Sequence, residues 1–500
     1  MESPEVMETP EVMDTRGPES STRRTWVGWA AAMVLLALLA PLLLVACGGG
    51  GSAEGIPERP NLVLVVLCSL RHDHLGFAGY PRPTTPFLDQ LAEESTRFER
   101  FLSASAQTKP SSASLFTGLT PNVHRLVDPY SMRQVIEGGE GDPPRTLSDG
   151  VETLAESLQR AGYATGCRIN NVNAGEFFNL DQGCEDSVTS HYYPTTRMLD
   201  DLSSFIDQRD PEQPFFYLLF TLDAHVPYAP EHDDFVRFQR DGEAPPEEGF
   251  TDYLRSFQRE IRRLIEAGEP VPEELQRRYV DAYDAALASL DRRLARLPEV
   301  LAEAGVEGET LVFVTADHGE SFFDPGRVGM QQITHGRDLS QHLVHIPLLV
   351  HGPGIEAGGR VSQMARSIDL YPTLVELAGG EPPDILQGRS LVPFLTGAEP
   401  EPERVSAFMS RNDGNHHAVI EGRYKLQSWK DERFELFDLS LDPYETEDLF
   451  DQEPEIARRL LKELQHWREQ EEVLAPIVGT TGSRELSPEL IEQLDALGYL

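Results

Sequence analysis

Asp317 and His318 stand side by side one residue beyond the apolar run 310–315, with Gly319-Glu320 behind them. A carboxylate and an imidazole so placed are hard-oxygen and borderline-nitrogen ligands for a divalent cation. Thr108 opens a second polar segment, Thr108-Lys109-Pro110-Ser111-Ser112. A threonine hydroxyl becomes a competent nucleophile when metal coordination lowers its pKa. Lys109, His225 and His335 are groups that would neutralise an anionic ester or protonate its leaving group. Cys68 closes the apolar run 61–67 and is either a third ligand or a buried small hydrophobe. Blander roles exist for the others too: Asp317 as a helix cap, Thr108 and His225 as loop residues, Lys109 as a solvated cation. Asp73 reads as the brace of a turn, and His72, His74, His342 and His345 as surface or supporting residues.

The elements that must carry these residues are visible as apolar runs. Residues 61–67, 214–221, 310–315 and 346–350 are continuous runs of the kind strands take when both faces are covered. Ala164–Ile169 is a further strand behind a helix at 151–163. Residues 85–98 read as a helix and 274–304 as a long amphipathic helical stretch. Strands alternating with helices predict an α/β fold, a mainly parallel sheet sandwiched by helices. Ligands of such sheets bind at the carboxyl ends of the strands, and Cys68, His225 and Asp317-His318 all follow strands. Beyond about residue 385 the pattern changes. Short alternating segments over 404–440 and helices at 453–470 and 487–498 predict a small C-terminal α+β subdomain, 386–500. Residues 229–272, acidic and holding Pro245-Pro246, read as a polar surface insertion without a buried strand.

The motifs together resemble the sulfatase family of the alkaline phosphatase superfamily. They are Pro60-Asn61, Leu70-Arg71-x-Asp73-His74-Leu75-Gly76, Gly79-Tyr80-x-Arg82-x-Thr84-x-Pro86 and Thr108-x-Pro110-Ser111-x-x-Ser114-Leu115-x-Thr117-Gly118. His225-x-Pro227-Tyr228, Asp317-His318-Gly319-Glu320, the run 367–374 and Leu497-Gly498-Tyr499-Leu500 follow in family order. The resemblance implies an alkaline phosphatase-like catalytic domain over 60–385 that hydrolyses sulfate, phosphate or phosphonate esters. It implies one divalent cation, calcium first, with magnesium, manganese or zinc as alternatives. Thr108 falls at the nucleophile position, and Asp317, His318 and, as a third ligand, Cys68 at the metal site. His225 or His335 would assist the leaving group beside Lys109.

Three departures from the family pattern stand out. Many sulfatases carry a Cys or Ser, modified to formylglycine, within Cys/Ser-x-Pro-x-Arg. Here Thr108 and Ser112 occupy the first and last places, so formylglycine is not expected, and the substrate tilts toward phosphodiesters and phosphonates. Cys68 stands where the family's first strand ends in a metal-binding aspartate. Ser340-Gln341 replaces a Tyr-Glu or Tyr-Asp pair. These leave open a degenerate relative that binds an anionic glycan or lipid head group without turnover, and a transferase that moves phospho-groups between envelope molecules.

Composition bounds the partners. With 43 Lys plus Arg against 83 Asp plus Glu, the formal charge of −40 repels phosphates, which excludes nucleic acid as the main partner. The expected partner is an anionic ester: a glycan, a lipid head group or a small molecule. Arg23-Arg24, an uncharged apolar run at 26–46 and Leu44-Val45-Ala46-Cys47 describe a secretory signal resembling a bacterial lipobox. The expectation is a leader and lipoprotein signal over 1–46, a lipidated Cys47 and a flexible tether over 47–59. The rest is then membrane-anchored on the periplasmic or outer face of the envelope; an uncleaved anchor is the alternative. Export permits disulfides, and Cys167 with Cys184 is the expected pair, Cys68 remaining free.

Overall fold

Seven residues in a row, Asn61–Leu67 (β1), are buried, as a run apolar on both faces requires. The structure is a computed structural model. It describes residues 55–127, 144–190, 193–240, 242, 244–324, 333, 335–396, 405–411, 414–479, 481–483 and 487–488. The apolar run at 26–46, Cys47 and nearly all of the expected helix at 487–498 lie outside the described residues.

Around β1 the central sheet is assembled from β2 (Thr96–Leu102), β3 (Ala164–Ile169), β4 (Asp186–Thr189), β5 (Phe215–Thr221), β6 (Thr310–Thr315) and β7 (His345–His351). Two short pieces, β8 (Arg360–Val361) and β9 (Ala365–Arg366), complete it. The strand order is β9-β2-β7-β6-β1-β5-β3-β4, with β8 also on β2. β1 runs parallel to β5 and β6, with Val66 opposite both Phe220 and Thr315. That register brings the carboxyl ends of the three strands to one edge, where Cys68, His225 and Asp317 emerge. β7 runs antiparallel to both β2 and β6, so the sheet is mainly rather than wholly parallel.

Helices flank the sheet: α1 (Pro86–Glu93), α2 (Thr108–Thr117), α3 (Leu154–Arg160), α4 (Thr195–Gln208), α5 (His232–Phe238), α6 (Phe250–Glu266), α7 (Glu273–Leu294), α8 (Leu297–Glu303) and α9 (Leu370–Leu377). The expected helix at 85–98 stops at Glu93, and its last residues open β2. The alternation of Thr96-Arg97-Phe98-Glu99 suits a strand flanked on both sides, and pairing with β7 overrides the helical reading. α3 begins at a capping box in which Thr153 and Glu156 satisfy each other's backbone N–H groups. The insertion at 229–272 is more than a polar surface segment. It forms α5 and α6, which bury Phe235, Phe238, Phe250, Leu254, Phe257 and Ile261.

A second, antiparallel sheet has the order β10 (Ser406–Ser410), β11 (His416–Glu421), β12 (Tyr424–Trp429) and β13 (Arg433–Asp438). The long helix α10 (Pro454–Val478) packs Leu460, Leu464 and Trp467 against Val419, Leu426 and Leu436 of that sheet. Cys167 on β3 is disulfide-bonded to Cys184 with Cα atoms 5.8 Å apart, and Cys68 is a free, buried thiol. No helix among the described residues is long and apolar enough to cross a membrane.

Candidate active site

The β1 and β6 ends and the start of α2 converge on one buried cluster. Asp317 divides its oxygens between two tasks. Oδ1 accepts the backbone N–H groups of Ser69 (3.1 Å) and His318 (2.8 Å), locking the two loops together. Oδ2 faces inward, 3.4 Å from Cys68 Sγ, whose thiol donates to it, and 3.3 Å from His318 Nε2. His318 Nδ1 pairs with the Gly319 carbonyl at 2.7 Å, which fixes that nitrogen as the donor and leaves the Nε2 lone pair facing the cluster. Nε2 lies 3.1 Å from Oγ1 of Thr108, the first residue of α2. Cys68 Sγ is 3.7 Å from the same hydroxyl and accepts a hydrogen bond from Asn171 Nδ2 at 3.6 Å. A side chain at Gly319 would place its Cβ 2.0 Å from the His342 carbonyl oxygen, so only glycine admits this close passage. No helix follows Asp317 among residues 316–321, which removes the helix-cap reading.

Two more predicted residues sit beside the cluster. The His335 ring centroid is 4.2 Å from that of His318 and 5.0 Å from that of His225. His225 Nδ1 donates to the Val226 carbonyl, leaving its Nε2 as an acceptor. Burial, and then the neighbouring His335, push His225 down to about 3, and burial pushes His335 down to about 4. His335 Nδ1 meets Glu320 Oε1 at 3.2 Å. Burial lifts Glu320 to about 7 against the opposing pull of His225 and His318. Burial, followed by the Asp317 charge, holds the Cys68 thiol well above its ordinary value. Lys109 follows Thr108 into the interior rather than into solvent. Its ammonium lies 4.7 Å from the Phe178 ring centroid, and burial lowers it to about 7.

Sequence reasoning assigned Thr108, Cys68, Asp317 and His318 to one site, and the structure brings them together, with His225 and His335 beside them. It assigned no role to Glu320 or Asn171. Glu320 was visible inside its motif, whereas Asn171 is brought in by β3 and carries no local signal. The remaining histidines support the loops. His74 Nδ1 pairs with Asp284 at 2.7 Å, His342 Nε2 with Ser321 Oγ at 2.7 Å, and His72 stacks on His345 with centroids 4.0 Å apart. Asp73 braces Arg71 at 2.7 Å.

Cys68, Asp317 and His318 each offer a ligand atom within 4.8 Å of the others, the one such group found among the described residues. Donors of this kind beside a helix-borne hydroxyl, at the carboxyl edge of a mainly parallel sheet, are the arrangement expected of an ester hydrolase of the alkaline phosphatase type. The sulfatase family profile matches residues 60–380, and a profile described as N-sulphoglucosamine sulphohydrolase, C-terminal, matches residues 333–470. The chain belongs to the sulfatase family of ester hydrolases.

Bovine (Bos taurus) arylsulfatase A is 28% identical over 446 residues, covering 81% of this chain and 86% of that protein. Two solved structures share the fold. One, a protein in complex with its substrate D-glucosamine-2-N,6-O-disulfate, has TM-score 0.67 at 20% identity, covering 83% of this chain and 98% of the other. The other is the phosphonate monoester hydrolase of Agrobacterium radiobacter, with TM-score 0.64 at 20% identity, covering 83% and 96%.

Proposed function

We propose that this protein hydrolyses anionic sulfuric, phosphoric or phosphonic esters, with Thr108 as the nucleophile. The observation that carries the reading is the buried Thr108 hydroxyl at the head of α2, 3.1 Å from His318 Nε2 and next to Cys68. Asp317, His318 and Cys68 fit a divalent cation, since Asp317 Oδ2 and His318 Nε2 are both turned inward by the bonds on their other atoms. Such a cation would lower the pKa of the Thr108 hydroxyl and neutralise the ester's charge.

The chain's own groups account for the proton traffic. Thr108 Oγ1 gives its proton to solvent and bonds to sulfur or phosphorus as the ester oxygen leaves, giving a threonyl sulfate, phosphate or phosphonate, and it recovers a proton when water cleaves that ester. The leaving oxygen takes a proton from His335 Nε2, and Glu320, lifted by burial to about 7 and so protonated in part at neutral pH, returns one at Nδ1. His225, with Nδ1 committed to the Val226 carbonyl, offers Nε2 to accept a proton from the water that cleaves the threonyl ester. Lys109, next to Thr108 and lowered by burial to about 7, contributes positive charge in the fraction that stays protonated. The kinship with arylsulfatase A supports a sulfate ester, and the likeness to the phosphonate monoester hydrolase supports the broader class.

A second reading, binding without turnover, is favoured by Cys68, a thiol hydrogen-bonded to Asp317 where the family carries a carboxylate. A panel of aryl sulfates, aryl phosphodiesters and aryl phosphonate monoesters, assayed with wild type and Thr108→Ala, separates the two. Turnover lost in Thr108→Ala supports hydrolysis. Retained binding of a sulfated glycan with no turnover supports the binding protein, and transfer to an added alcohol marks a transferase. The location belongs to the same proposal: an exported lipoprotein anchored through Cys47, supported by the Cys167–Cys184 disulfide, which persists in oxidising compartments.

A further inference from the structure

The inner faces of the cluster form a figure with definite edges. Cys68 Sγ lies 3.4 Å from Asp317 Oδ2 and 3.7 Å from Thr108 Oγ1. His318 Nε2 lies 3.3 Å from the same Oδ2 and 3.1 Å from the same Oγ1. A tetrahedral zinc ion with its usual bond lengths requires ligand-to-ligand edges of about 3.5 Å between sulfur and oxygen and about 3.3 Å between nitrogen and oxygen. These four of a tetrahedron's six edges agree with that requirement to within about 0.2 Å, and Sγ and Nε2 lie within 4.8 Å of each other. Calcium asks for roughly six to eight oxygens in a wider shell. This set offers a thiol, an imidazole, one free carboxylate oxygen and one hydroxyl.

The supporting contacts point the same way. Asp317 Oδ1 is occupied by two backbone N–H groups, so Asp317 presents a single oxygen, as a tetrahedral site prefers and a calcium site does not. His318 Nδ1 is held on the Gly319 carbonyl, the arrangement that presents Nε2 to a metal. Asn171 Nδ2 donates to Cys68 Sγ at 3.6 Å, a contact that stabilises a thiolate. We propose that Cys68 Sγ, Asp317 Oδ2, His318 Nε2 and Thr108 Oγ1 form a tetrahedral site that selects zinc over calcium and magnesium, with Cys68 the residue that sets the choice. The proposal rests on the reading of this cluster as the cation site of the proposed hydrolase, and it adds the ion and the role of the thiol.

The test uses the purified full-length protein, stripped with chelator and then offered zinc, calcium and magnesium separately and in competition. Bound metal is measured by plasma mass spectrometry. The expected result is about one zinc per chain, retained when calcium is in excess. Cobalt(II), a spectroscopic stand-in for zinc, should give a thiolate-to-cobalt charge-transfer band that Cys68→Ser abolishes. Cys68→Asp should move the preference toward calcium and magnesium. Asn171→Ala should weaken zinc binding about 10- to 100-fold with the charge-transfer band retained. Calcium or magnesium in place of zinc, no bound metal, or a cobalt complex without the band overturns the proposal. If Cys68→Asp fails to fold, the wild-type cobalt spectrum decides alone. The readouts involve no substrate, so zinc binding without ester turnover keeps this inference and overturns the hydrolase, while turnover with calcium does the reverse.

Discussion

Replacing Arg71 with alanine should cost about 5 kcal/mol, because this side chain ties together the two loops that carry the site. It lies three residues past Cys68 and is 2% exposed. Its Nη1 donates to the Glu320 carbonyl at 3.2 Å and to the Asp324 carboxylate at 2.8 Å. Nε and Nη2 hold Asp73 at 2.8 and 2.7 Å, and the guanidinium sits 4.3 Å from the Phe322 ring centroid. The Asp73 side chain is 44% exposed, so water replaces much of that pair. Asp324 is 11% exposed and would be left as a nearly buried, uncompensated charge. Breaking such a pair costs roughly 3–5 kcal/mol, and the lost cation–π contact adds about 1 kcal/mol. Burial works to raise Asp324, but Arg71 and then His342 overcome it and hold the carboxyl below its ordinary value. A carboxyl depressed in the fold contributes stability that is present above its unfolded pKa and lost as acid titrates the folded group. The gap between wild type and Arg71→Ala should therefore narrow as pH falls below about 4. Urea unfolding followed by tryptophan fluorescence at neutral and acid pH measures both effects. Arg71→Lys should fall between the two proteins, keeping the charge but not the planar fork. A loss under about 1 kcal/mol at neutral pH, or one that does not narrow in acid, refutes the reasoning.

Other expectations follow from the same structure. Asp291 caps α1 by accepting the N–H groups of Phe87 and Leu88 at 2.8 and 2.9 Å, so Asp291→Ala should lose about 2 kcal/mol. Burial lifts Asp291 to about 7, so its contribution is full at acid pH and declines as pH rises through 7; the variant's deficit, read from urea unfolding, should be larger at pH 5 than at pH 8. Cys184→Ser opens a link spanning 17 positions and should lower stability by about 3 kcal/mol in the same assay, with no further loss when reductant is added. Thr108→Ala should reduce kcat roughly ten-thousandfold, whereas Thr108→Ser, which keeps the hydroxyl, should retain measurable turnover of an aryl ester.

The parts of this architecture legible in sequence were those that one residue class specifies locally. β1, β5, β6 and β7 are uninterrupted apolar runs, and a run of that kind has few folded destinations other than a covered strand. The direction of β7 was not legible, since a hydrophobic run carries no sense of its own. Its antiparallel course is set by pairing with β2 and β6. β2 was hidden because Thr96–Leu102 follows α1 after only two residues and mixes arginine and glutamate with phenylalanine. In α6, Phe250, Leu254, Phe257, Ile261 and Leu264 recur every three or four residues; the helical signal was present, but the many charged and polar residues between them masked it. At the site, residues that stand within motifs were found; Asn171, two residues past the end of β3 just as Asp317 is past β6, belongs to no motif and was not. Asn171 reaches Cys68 across 103 positions of chain, and no local pattern records that.

The most direct test of the account is to look for the covalent intermediate. The protein, reacted with an excess of activated aryl sulfate or aryl phosphonate and quenched in acid within one turnover, is digested and mapped by mass spectrometry. A sulfo or phosphono group is expected on the peptide containing Thr108, localised to its side chain and absent from Thr108→Ala. Turnover with Thr108 unmodified throughout, or equal turnover by Thr108→Ala, would contradict that expectation.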